Sequence, residues 1–283
     1  AIGDEPTTEF LRVTRDDDGG PQALQTAIAS YRLGSGAEVD LVAVVHVGHA
    51  EYYQELNRLF ERYDAVLYEL VAESDDVPMA SESRGGSPIS ALQGGMKEML
   101  ELDFQLDHID YTKANFIHAD MTPAEFVGDM RERNEGVVSI LGRLLGAGIA
   151  QQSRDRAAQR AKAEQPPVGR GAATGPSNAK MLAAMLSPNR AIALRRVLAE
   201  QFQDMDRQMV AFEGADGRST LVTERNRKAF EVLDQQLGAG RRRIAIFYGA
   251  GHLADMDQRL RGQYQAESGE VQWLTAWRLT EGD

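Results

Sequence analysis

Residues Val39–Val47 read Val-Asp-Leu-Val-Ala-Val-Val-His-Val, and this run constrains the chain more than any other. A near-continuous series of aliphatic residues is the pattern of a strand covered on both faces, as in a parallel sheet flanked by helices. A helix is expected next, over Glu51–Tyr63, where Tyr52, Leu56, Leu59, Phe60 and Tyr63 recur at helical spacing. Ala65–Val71 (A-V-L-Y-E-L-V) then reads as a second buried strand. Strand, helix and strand in this order imply a right-handed crossover and parallel pairing.

The flanking sequence extends this unit in both directions. Phe10–Arg15 and Ala23–Tyr31 read as strands joined by a turn at Asp16–Pro21, and Gly34-Ser35-Gly36 is a second turn. Glu73–Gly86 is a polar loop, and Asn115–Ala119 a short strand. Thr122, Pro123 and Glu125 then lay out a helix start, with Thr122 as cap and Pro123 at the first helical position. Toward the C-terminus, Thr220–Leu237 is helical and Arg243–Tyr248 is a third buried strand. Gly249-Ala250-Gly251-His252 leads into a helix over Leu253–Arg261, and Val271–Leu279 is the last strand. Between the two strand-rich ends, Ala179–Leu186 and Ala191–Phe212 read as helices with apolar faces. They are preceded by Gln165–Ser177, where 6 of 13 residues are Gly or Pro, a composition that cannot pack. The expected fold class is α/β, with a central mixed, largely parallel sheet built from both ends of the chain and a helical insert. The division is 1–136 for the first half, 137–212 for the insert with a flexible 165–177, and 213–283 for the second half.

Composition excludes several functions. The 283 residues carry 31 Lys and Arg against 43 Asp and Glu, a net charge of −12, which disfavours nucleic acid as a partner. With no cysteine, disulfide scaffolds, thiol catalysis and cysteine-ligated metal clusters are excluded. The most apolar run, Val137–Ala150, is short of a membrane span and contains Arg143. The sequence starts at Ala1 without Met, and the lack of cysteine fits an exported protein, periplasmic or extracellular, slightly better than a cytoplasmic one, which stays open. A homo-oligomer stays open.

The chemistry has to come from few groups, among them five histidines: His46, His49, His108, His118 and His252. There is no G-x-S-x-G elbow, phosphate-binding P-loop or H-E-x-x-H helix. Gly249–Ala254 matches G-x-G-x-x-[GA], but only 32 residues follow Gly251, too few for the rest of a dinucleotide-binding domain. The informative pattern is positional. His46 falls near the end of the first buried strand, Glu69 near the end of the second and His252 just past the third. Ligands in open α/β sheets bind beyond the carboxyl ends of the strands, so these three residues are candidates for one divalent-metal site. Two imidazoles and a carboxylate suit Mn, Co, Zn or Fe and leave a coordination position open. His49 could orient or replace a ligand, and His118 and Asp120 are further candidates. His108 has no such context and reads as surface. Arg225 reads either as half of an intrahelical ion pair or as a guanidinium aimed at a substrate carbonyl or carboxylate.

Several of these segments, in this order, resemble the TraB/PrgY and Tiki/GumN family, within a wider set that includes ChaN-like haem-binding proteins and erythromycin esterases. The pieces are Ala43-Val44-Val45-His46, Ala65-Val66-Leu67-Tyr68-Glu69-Leu70, Ile117 to Phe126, Thr223-Glu224-Arg225-Asn226 and Gly249-Ala250-Gly251-His252. The family carries a G-x-x-H motif near each end of the domain. Here the second is intact and the first has Ala43 in place of Gly. The resemblance implies metal-dependent cleavage of peptide bonds, with His46 and His252 as ligands and Glu69 as ligand or base. It also implies Arg225 and Asn226 as substrate or transition-state contacts, with Gly249 and Gly251 leaving room for substrate approach. His49 is an alternative proton carrier. Metal-free His/Glu ester hydrolysis, or haem or metal binding without turnover, are the other activities it implies.

Overall fold

A computed structural model describes residues 8–72, 97, 99–132, 177–208 and 220–281. The Glu73–Gly86 loop, Val137–Ala150 and all of Gln165–Ser177 except its last residue lie outside them, as do Met209 and Phe212.

The strands are β1 (Leu11–Arg15), β2 (Pro21–Arg32), β3 (Glu38–Val44), β4 (Val47–Gly48), β5 (Ala65–Tyr68), β6 (Asp103–Phe104), β7 (Phe116–His118), β8 (Arg243–Gly249) and β9 (Glu267–Arg278). The helices are α1 (Ala50–Phe60), α2 (Gln105–His108), α3 (Pro123–Glu132), α4 (Ser177–Met185), α5 (Arg190–Gln208), α6 (Arg225–Gly238) and α7 (Leu253–Gly262). The main sheet is mixed. β3, β8, β5 and β7 run parallel in that spatial order, while β1, β3 and β9 each pair antiparallel with β2. β4 and β6 form a separate two-stranded ladder.

The strand–helix–strand unit β3–α1–β5 is parallel as expected, but its strands are not neighbours. β8, from the far end of the chain, lies between them, with Ile246 opposite Leu41 on one side and Leu67 on the other. Residues 244–246 of β8 are fully buried, as is all of β5 apart from slight exposure of Tyr68. The aliphatic runs are thus the covered centre of the sheet. α1 buries Tyr52, Tyr53, Leu56 and Phe60, and the Phe60 ring packs edge-on against Phe116 and Phe247.

Two expected boundaries shift, with consequences for the site. Val39–Val47 is not one strand: β3 ends at Val44, and Val47–Gly48 pairs instead with β6. β5 ends at Tyr68, so Glu69 stands just past the strand. The helix start at Thr122 has the expected form. Glu125 N–H donates to Thr122 Oγ1 (3.2 Å) and Thr122 N–H donates to Glu125 Oε2 (2.8 Å), a reciprocal capping box. No described helix is long and apolar enough to cross a membrane.

Candidate functional site

β3, β8 and β5 are parallel and adjacent in that order, so the segments that follow them leave the sheet at the same edge. His46, Glu69 and His252 occupy those segments, and Gly249 lies among them. A methyl group on Gly249 would stand 3.2 Å from Glu69 Oε2, 3.6 Å from His46 Nε2 and 3.9 Å from the His252 ring. The three predicted residues therefore surround one small space.

Each side chain is held by a distinct set of bonds. Glu69 accepts the Gly249 N–H on Oε2 (2.7 Å) and Arg225 Nη2 on Oε1 (2.7 Å). Arg225 also grips the fully buried carboxylate of Asp120 with two donors, Nε at 2.9 Å and Nη2 at 2.5 Å. Arg225 thus reaches across the fold, and its reading as an intrahelical ion pair is corrected: Arg227 takes that place, paired with Glu224 and Glu231. A guanidinium is planar and always charged, so this double clamp fixes both carboxylates at once.

The tautomer of His252 follows from its neighbours. Asn226 donates its amide nitrogen to the His252 carbonyl (2.9 Å) and to Asp255 Oδ2 (2.8 Å), both acceptors. Its amide oxygen is thereby turned to His252 Nδ1 at 2.7 Å, and Nδ1 must carry the hydrogen. The Nε2 lone pair faces Glu69 Oε1 at 3.5 Å and Arg225 Nη1 at 3.4 Å. His46 is arranged alike. Gln105 turns its amide oxygen to His46 Nδ1 (2.8 Å) and its amide nitrogen to Tyr111 Oη (2.7 Å), and Gln105 N–H donates to the His46 carbonyl (3.0 Å).

The charges are consistent with this arrangement. Burial works against the Glu69 carboxylate, but the neighbouring His252, Arg225, His46 and the Gly249 N–H hold its pKa at about 2. Burial pushes His252 below its usual value, with Glu69 opposing, so the ring is neutral near pH 7. Burial would also lower Arg225, yet Asp120 and Glu69 raise it.

The donor types, though not their present arrangement, suit a divalent cation. Two imidazoles present Nε2 while an amide oxygen holds Nδ1, the outer bonding that orients metal-ligating histidines, and a carboxylate lies beside them. The space between them is one that a single Cβ would fill. Among the described residues, however, no three His, Asp or Glu side chains form a group that could hold an ion as they stand. Next to these groups is a cavity of about 300 Å³, which Gly251 also lines.

The remaining candidates lie apart from the Nε2 pair. His118 uses its Nε2 on the Leu70 carbonyl (2.6 Å), a structural bond. His49 accepts Arg195 Nη1 at 3.0 Å, and its pKa is lowered by burial, then by Arg195 and Arg278. His108 is half-buried instead of exposed, stacked on Tyr53 and 3.4 Å from Asp103. The sequence reading missed Gln105, whose approach to His46 depends on the β4–β6 ladder, and the Asp120–Arg225 pairing, which joins residues 105 positions apart. Comparison with known protein families, curated proteins and solved structures finds no match.

Proposed function

We propose that the chain is a metal-dependent hydrolase of peptide bonds, working at the strand-end site around Gly249. The observation that carries this reading is the matched presentation of two imidazole Nε2 atoms, each with Nδ1 on an amide oxygen, beside an ionised carboxylate. His46, His252 and Glu69 would hold the divalent ion, which supplies Lewis acidity toward a substrate carbonyl. Arg225 keeps a fixed positive charge next to this space, where a carbonyl oxygen gaining negative charge is stabilised without reorganisation. Asp120 holds that guanidinium in place, and Asn226 holds the His252 tautomer. The segments that resemble the TraB/PrgY and Tiki/GumN family are the ones that supply these groups, which supports the same reading.

A second reading rests on the Glu69–Arg225 pair, which gives the carboxylate a cation of its own. In that case, hydrolysis needs no metal, and His46 takes the proton of the attacking water. The test is digestion of a peptide library, with metal analysis of protein purified without chelator. Cleavage abolished by EDTA and restored by Mn, Co or Zn is expected, with His46→Ala and His252→Ala each losing metal and activity and His108→Ala retaining both. Chelator-resistant cleavage selects the metal-free reading. Full metal occupancy in both single-histidine variants sinks the shared site, and an active His46→Ala protein sinks both hydrolytic readings.

A further inference from the structure

We propose that the cavity beside the site is a side-chain subsite that selects a large, wholly apolar residue adjoining the scissile bond; this rests on the hydrolase reading above. The cavity is lined by His46, Glu69 and His252, and Leu11, Val45, Val47, Phe202 and Trp277 make up much of the rest. Those five come from β1, the β3–β4 turn, β4, α5 and β9, so the subsite is assembled from distant parts of the chain.

Two polar groups on this wall are already bonded. Trp277 donates its only N–H to the Val47 carbonyl (2.6 Å), and the Val45 carbonyl accepts Tyr53 Oη–H (3.0 Å). Phe202 meets Trp277 edge-on at 5.4 Å, which fixes the ring orientation. A polar or charged side chain lying against these five residues would lose its water and gain no side-chain partner from them, a cost that an apolar side chain does not meet. A cavity of about 300 Å³ is at the small end for ligand pockets, suited to one bulky side chain and not to a length of peptide. A peptide whose apolar residue fills it has its adjoining carbonyl beside Gly249, among the reactive groups.

Two peptide series test this, varying only the residue before or only the residue after the scissile bond. In one of them, Phe or Leu should exceed Ala in kcat/KM by about 10- to 200-fold, with Asp and Lys poorer than Ala. Val47→Thr keeps the size but adds a hydroxyl, and Phe202→Ala removes one wall; each should erode the preference by about tenfold. A second measurement does not need turnover. In Trp273→Phe protein, Trp277 is the one tryptophan left of two, and N-acetyl-phenylalaninamide should shift its fluorescence where N-acetyl-aspartamide does not. Cleavage without side-chain preference, or equal or absent responses to the two amides, overturns the subsite. Selective fluorescence without cleavage of any peptide leaves the subsite standing and removes the hydrolase reading.

Discussion

At Gly249, the lack of a side chain is what lets the other groups meet. Its N–H donates to Glu69, and the space above its Cα is the one that Glu69, His46 and His252 share. Gly249→Ala would put a methyl 3.2 Å from a buried carboxylate oxygen, closer than ordinary contact, so Glu69 must move by a few tenths of an ångström. On the proposed hydrolase function, we expect kcat/KM for peptide cleavage to fall by about 10²-fold, with the thermal midpoint little changed, because small displacements of reacting groups cost catalysis more than folding. An Ala variant cleaving at the wild-type rate would show that this space is not where the reaction occurs. The residues legible in the sequence were those marked by position at strand ends: His46, Glu69 and His252. Gln105 was not legible, because a lone Gln in Phe104-Gln105-Leu106 has no periodic or motif context, and only the pairing of Val47 with Phe104 brings it to His46.

Among the elements, the clearest reading was the start of α3, since a capping box is a local pattern that needs no distant partner. Thr122→Ala removes the acceptor for Glu125 N–H and should cost about 1 kcal/mol, read as a lower urea midpoint. No change would mean that the Lys228–Glu125 ion pair (2.7 Å) alone secures this end of α3. The break of the Val39–Val47 run was illegible by comparison, since Val45 and Val47 are as suited to a strand as Val42 and Val44 are. It is the pairing of β4 with β6 that takes the chain out of the main sheet and exposes His46. The start of α1 gives a pH dependence. His49, preceding that helix, has a pKa lowered by burial and by Arg195 and Arg278, so the unfolded chain protonates first. Its contribution to stability is complete above the unfolded value near 6.5 and is lost as pH falls below it. His49→Gln keeps an acceptor for Arg195 but cannot be protonated in this range. Its urea midpoint should therefore fall less than that of the wild type between about pH 7.5 and about pH 5.5. Equal falls would assign the acid sensitivity to other groups.

In the whole molecule, the central fact is the place of β8. Both ends of the chain were legible as strand-rich and as parts of one α/β fold, because aliphatic runs mark covered strands wherever they occur. Their spatial order was not legible, since Arg243–Gly249 is as apolar as its neighbours and could occupy several positions in the sheet. The structure puts it in the middle, paired with β3 through seven residues and with β5 through four. β9 also returns to pair with β2 from Ala23 to Arg32. The first half of the chain, residues 1–136, therefore lacks the strand that joins its own two parallel pieces. Without β8, the facing edges of β3 and β5 would leave backbone donors and acceptors unpaired at the centre of the sheet, where they are most costly. Expressed alone, this fragment should show no cooperative unfolding transition by circular dichroism, whereas the whole chain should. Mixing it with the fragment 213–283 should restore part of the transition if the remaining elements are enough to rebuild the sheet. A sharp transition in the isolated 1–136 fragment would mean that β3 and β5 can close on each other directly, and that β8 is an addition to a sheet already able to form.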